Sequence, residues 1–177
     1  MSEHVLALHA ATLSETRAIA AALAEFVRSG DIIVLAGEMG AGKTAFAQGF
    51  GAALGVTDRI TSPTFTLVRS YPVDSGPRAG KVTLHHADIY RLERTSEVRD
   101  LALRELADFG GIVLIEWGDV VDLFGDHLVV QLYTPPSDDD ADALSLDGSR
   151  NIELGAVGST WASRWSALAS GVEEFRC

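Results

Sequence analysis

A chain of 177 residues, 47% hydrophobic and 22% charged, carries enough apolar material for one packed domain, which excludes a mainly disordered or collagen-like polymer. Fourteen lysines and arginines stand against 25 aspartates and glutamates, a formal net charge of −11. A surface this acidic repels polyphosphate, so independent nucleic-acid binding is not expected.

The single cysteine, Cys177, excludes an intrachain disulfide and suits a reducing compartment. The first residues do not read as a basic leader followed by an apolar segment, and there is no apolar run of roughly 18 residues. A cytoplasmic protein without membrane contact is expected, with one domain over residues 1–177 and residues 172–177 as a frayed tail.

In chain order, Thr12 with Glu15 three residues on has the form of a capping box, and Ile19, Leu23 and Phe26 follow at helical spacing until Gly30. Residues 32–36 are apolar without alternation, the mark of a strand covered on both faces. A glycine-rich loop follows, then Phe46, Phe50 and Leu54 trace one face of a helix that ends at Gly55.

Residues 65–71 read as a strand, 72–80 as a turn-rich connection and 82–87 as another strand. From Ser96, the positions Val98, Leu101, Ala102 and Leu106 predict one helix stopped by Gly110 and Gly111. Residues 112–115, 129–133 and 151–156 read as further strands, the last two joined by an Asp-rich loop. Trp161, Trp165 and Leu168 predict a closing helix. Alternating strands and helices predict an α/β fold: a mainly parallel central sheet, helices on both faces and antiparallel strands added at an edge.

Residues 37 to 44 read Gly-Glu-Met-Gly-Ala-Gly-Lys-Thr, a full match to G-x-x-x-x-G-K-[ST]. Glycines let successive backbone N–H groups turn around an anion, and the following helix N-terminus adds positive potential. Lys43, one of only two lysines, stands where the motif requires an ammonium for β- and γ-phosphates, and the Thr44 hydroxyl is the expected Mg²⁺ ligand. The bland alternative is a glycine-rich turn with no ligand.

Two apolar strands end in acids. Residues 112–115 lead to Glu116, and residues 82–87 lead to Asp88. In a parallel sheet both ends open on the rim that carries the phosphate loop. Glu116 is assigned to Mg²⁺, directly or through water, and Asp88 to the attacking water or the metal shell, with surface or capping acids as the alternative.

Ser62 and Thr64 lie where phosphate-sensing segments often sit, or form a plain Ser-Pro turn. His86 shares a face with Asp88 two residues on, so it either orients that carboxylate or is a structural histidine. Tyr90 and Arg91 pack the next segment, and Trp117 is either a core aromatic or an anchor at the mouth of the site.

The loop at 37–44, together with Ser62-Pro63-Thr64-Phe65-Thr66-Leu67-Val68, His86-Ala87-Asp88-Ile89-Tyr90-Arg91 and Ile115-Glu116-Trp117, resembles the TsaE family in order and spacing. The resemblance implies a P-loop NTPase fold and a slow ATPase of tRNA threonylcarbamoyladenosine biosynthesis, with ATP and Mg²⁺ as cofactors. It implies TsaB-like and TsaD-like partners, with tRNA reached only through that complex.

Carried over by position, Thr44 and Glu116 are the implied metal ligands and Asp88 the acid needed for hydrolysis. Gly40, Ala41, Gly42, Lys43, Thr44 and Ala45 are the implied phosphate contacts. Arg150 and Leu13 are further implied nucleotide contacts. Gly118 departs from the proline frequent after Glu-Trp in the family, and the acidic stretch from Asp138 to Asp142 blurs the register to Arg150.

Two other readings use the same loop. A small-molecule kinase would draw on Arg91, Arg94, Arg99 and Arg104 as a lid, and a nucleotide-gated binding module would hydrolyse almost nothing in isolation.

Overall fold

The computed structural model describes residues 4–63, 65–90, 92, 95–117, 124–135 and 148–177. Seven strands, β1 (Val5–Ala10), β2 (Ile32–Ala36), β3 (Val68–Pro72), β4 (Thr83–Asp88), β5 (Ile112–Glu116), β6 (His127–Tyr133) and β7 (Arg150–Val157), form one sheet. Their order is β1-β7-β6-β2-β5-β4-β3. The central pairs β6·β2, β2·β5 and β5·β4 are parallel. Antiparallel strands close both edges, β3 on one side and β7 with β1 on the other.

The helices are α1 (Leu13–Ala24), α2 (Lys43–Leu54), α3 (Thr95–Asp100), α4 (Leu103–Asp108) and α5 (Trp165–Gly171). Strand alternation sorts the core into two layers. Ile33, Leu35, Leu84, Ile112, Leu114, Leu154 and their neighbours pack with Ile19, Leu23, Phe46 and Phe50 of α1 and α2. Ile32, Val34, Val113 and Ile115 pack on the other face with Leu103 and Ala107 of α4. The central strands β2 and β5 are buried at every position, as their unbroken apolar runs require. Among the described residues no helix is long and apolar enough to cross a membrane.

Helices α1 and α2 meet closely because Gly49 has no side chain. A Cβ there would stand 2.6 Å from the Arg17 carbonyl oxygen and 2.7 Å from the Arg17 Cα. The C-terminal segment is tied to the head of β2 by a buried bidentate pair, Arg164 Nη1 to Asp31 Oδ2 at 2.6 Å and Arg164 Nη2 to Asp31 Oδ1 at 2.7 Å. Trp161 is fully buried, with the Arg164 guanidinium 3.9 Å from its ring centroid.

Several expectations are corrected. Strand β1 was not foreseen, because its outward positions Val5, Ala7 and His9 carry little of the polar alternation that would mark it. The strand expected from residue 65 begins at Val68: Leu67 has φ 62° and its N–H donates to the Pro63 carbonyl, so 65–67 form a turn. The single helix expected from Ser96 is broken at Ala102, whose φ of 51° is left-handed, and it is Leu103 and Ala107 that are buried on α4.

The expected closing helix starts as a 3-10 turn at Ala162–Arg164 before α5 begins. Residues 172–177, expected to fray, are held. Val172 is fully buried, Arg176 forms a bridge with Leu8, and the Cys177 N–H donates to the Ala7 carbonyl.

Candidate nucleotide site

The β4–β5 register sets Asp88 opposite Glu116, and the β2–β5 register sets Glu116 opposite Leu35, one residue before β2 ends. Both acids therefore stand at the rim from which the chain leaves β2 into loop 37–44 and then α2. By alternation with Leu84 and Leu114, they also lie on the face that α2 covers. Antiparallel pairing brings the start of β7 to this rim, with Arg150 opposite Ala10 at the end of β1. Helix α1 starts three residues later, which places Leu13 there too.

The result is a cavity of about 450 Å³, lined by Gly40, Gly42, Lys43, Thr44 and Ala45 from the loop and α2, by Asp88 and Glu116, and by Leu13 and Arg150. That volume lies in the range of small-molecule sites. Ser62, Tyr90, Trp117 and Met39 complete the wall. Ala41, also expected at the site, is fully buried within the core and offers the cavity no side chain.

Loop 37–44 is closed by its own geometry. Gly37 has φ 136°, and a Cβ there would stand 2.4 Å from the Leu132 carbonyl oxygen, so no other residue fits. Lys43 is buried, and its Nζ donates to the carbonyls of Gly37 at 2.7 Å and Glu38 at 2.8 Å. The Trp117 ring covers the same ammonium at 3.8 Å. Trp117 holds φ 65°, rare for a bulky residue, while its N–H donates to the Leu35 carbonyl and its ring packs against Tyr90 with centroids 4.6 Å apart. Trp117 thus answers to both expectations: it packs against the second core layer and lines the mouth of the cavity.

Asp88 is 8% exposed and doubly held: the Ser62 hydroxyl donates to Oδ2 at 3.1 Å and the Tyr90 N–H to Oδ1 at 3.0 Å. His86 does not orient Asp88 as its spacing suggested. Its Nε2 lies 2.9 Å from Glu116 Oε1 on the neighbouring strand, with both side chains buried. Arg150 turns its donors onto main-chain carbonyls, Nε to Ala41 at 2.9 Å and Nη2 to Gly40 at 3.1 Å, and so braces the loop.

Arg104, considered for a lid, donates to the Phe124 carbonyl at 2.6 Å, and Arg99 is exposed on α3. Thr64, Arg91, Arg94, Gly118 and the acidic stretch from Asp138 to Asp142 lie outside the described residues. Met39, an unspecified position of the loop motif, was the wall residue that local pattern did not single out, and Tyr90, expected only to pack the next segment, lines the cavity as well.

The donors suit a hard divalent cation. The Thr44 hydroxyl and the Glu116 carboxylate offer oxygen only, and Mg²⁺ shared with phosphates needs few protein ligands. Among the described residues there is no cluster of three or more His, Cys, Asp or Glu side chains able to hold a metal.

Comparison with known proteins agrees with the geometry. The family model described as "Threonylcarbamoyl adenosine biosynthesis protein TsaE" matches residues 10–141. A Streptomyces coelicolor protein named tRNA threonylcarbamoyladenosine biosynthesis protein TsaE is 34% identical over 153 residues, 84% of this chain and 95% of that protein. A Bacillus subtilis protein of the same name is 42% identical over 108 residues, covering 61% of this chain and 63% of that protein. The crystal structure of Bacillus subtilis YdiB superposes with a TM-score of 0.70 at 27% identity, over 98% of this chain and 97% of that one. With loop, acids and sheet order in place and the match spanning most of its length, the chain belongs to the TsaE family.

Proposed function

We propose that this protein is a cytoplasmic, ATP-binding and ATP-hydrolysing subunit required for threonylcarbamoyladenosine modification of tRNA next to the anticodon, acting on a TsaB–TsaD complex. The observation that carries the reading is one cavity lined by Gly40, Gly42, Lys43 and Thr44 of a G-x-x-x-x-G-K-[ST] loop and by two strand-end carboxylates. The relatives' names supply the pathway. The net charge of −11 fits a subunit that leaves tRNA to its partners.

In this reading the backbone N–H groups of Gly40 and of residues 42–45, at the N-terminus of α2, hold the phosphates, while the Ala41 N–H closes the loop on the Glu38 carbonyl at 3.1 Å. Lys43 moves its ammonium from the Gly37 and Glu38 carbonyls onto the β- and γ-phosphates. Thr44 and Glu116 would hold Mg²⁺, which would supply charge neutralisation for the departing ADP. Asp88, fixed by Ser62 and the Tyr90 N–H, accepts a hydrogen bond from the attacking water and orients it. Leu13 and Arg150 border the nucleotide.

Phosphate release from ATP, measured for the protein alone and with TsaB-like and TsaD-like partners, tests this reading. Hydrolysis is expected, slow alone and faster in the complex. Asp88→Asn should lower turnover on the order of a hundredfold while nucleotide binding persists. A phosphorylated small molecule in place of free phosphate would establish a kinase. ATP-dependent assembly with no hydrolysis under any condition would establish a binding module.

A further inference from the structure

We infer that His86 is the positioning residue that sets the Glu116 carboxylate for Mg²⁺, an inference that rests on the nucleotide-site reading above. His86 is fully buried and Glu116 is 3% exposed. A carboxylate taken this far out of water needs a donor, and the contact found is His86 Nε2 at 2.9 Å from Oε1.

In the carboxylate form that would ligate a cation Glu116 can only accept, and a bond to it then requires the proton on Nε2. The buried Nδ1, then a lone-pair acceptor, has no hydrogen-bond partner among the described residues. An apolar side chain would avoid that orphaned nitrogen. What the imidazole contributes is therefore the single bond to Oε1.

That bond comes from the adjacent strand. His86 on β4 stands opposite Leu114 on β5, two residues before Glu116 on the same face. With Oε1 fixed from behind, Oε2 is left for the ion beside Thr44, and the carboxylate does not have to be ordered when the metal–nucleotide complex arrives. The arrangement matches the general logic in which groups behind a metal ligand set its orientation, and their loss costs about 10- to 100-fold in metal affinity or activity.

The test uses the full-length protein and ADP as the probe, titrated calorimetrically in Mg²⁺ and in EDTA. Wild-type protein should bind more tightly with Mg²⁺. His86→Asn, whose amide nitrogen corresponds to Nδ1 and stops short of Oε1, should lose at least about tenfold of that Mg²⁺ enhancement while its EDTA affinity stays within about twofold. His86→Gln, whose amide nitrogen reaches the Nε2 position, should recover most of it.

An undiminished enhancement in His86→Asn, a parallel fall in both conditions, or a His86→Gln variant no better than His86→Asn would overturn the proposal alone. Wild-type protein that binds no nucleotide in either condition would overturn the site reading beneath it. Should the variants fail to fold, imidazole nitrogen NMR of the wild-type protein decides: protonation at Nε2 is expected, and a proton at Nδ1 instead overturns the proposal.

Discussion

Arg150 shows how a side chain can serve a binding loop without reaching for the ligand. Two of its nitrogens donate to the successive carbonyls of Gly40 and Ala41. Drawing the Ala41 carbonyl toward the guanidinium turns the Gly42 N–H to the opposite side of the trans peptide. Lysine has one ammonium on a flexible stem and lacks the planar fork that spans both carbonyls. Arg150→Lys should therefore lower unfolding free energy by about 1–3 kcal/mol and weaken nucleotide binding, which chemical denaturation and a binding titration would record.

Lys43, Thr44, Asp88 and Glu116 were legible in sequence because each sits in a motif or at the end of an apolar run. The partner of His86 was not. A spacing of two residues reports only on the residue's own strand, whereas Glu116 becomes its neighbour through the β4–β5 register.

At the scale of elements, the contact of α1 with α2 turns on Gly49. Alanine would favour the helix by up to about 1 kcal/mol. Against that, its Cβ would meet the Arg17 backbone at 2.6 to 2.7 Å, and backbone atoms cannot swing aside as a flexible side chain would. Overpacking of this kind costs about 1–3 kcal/mol, so Gly49→Ala should be net destabilising, read as a lowered denaturation midpoint. An unchanged or raised midpoint would mean that the two helices separate easily.

Sequence periodicity located α2, β2 and β5 well, since their burial is one-sided along a helix or complete along a strand, and α1 too except at its end, which falls at Ala24 with Phe26 beyond it. It failed at Ala102, where left-handed backbone breaks a helix, and at Leu67, where it delays the start of a strand, in neither case with a glycine to announce it. It failed again at β1, whose edge position becomes evident only from its pairing with β7.

At the scale of the whole molecule, the sheet order gathers chemistry from distant parts of the chain onto one rim. Parallel pairing aligns the ends of β2, β4 and β5, and antiparallel pairing adds the start of β7 and the end of β1. The acidic chain thus concentrates two cations, Lys43 and Arg150, beside two carboxylates in a single cavity. Mainly parallel order could be anticipated from alternating elements. The placement of Leu13 and Arg150 could not be derived that way, because it depends on which edge each late strand joins.

The most direct measurement is calorimetric titration of Mg-ATP into wild-type protein and into Lys43→Ala. Saturable binding by the wild-type chain, weakened at least about tenfold by the loss of the ammonium, is the expected result. No heat of binding from well-folded wild-type protein, or equal affinity in the two, would contradict a phosphate-holding site at this rim.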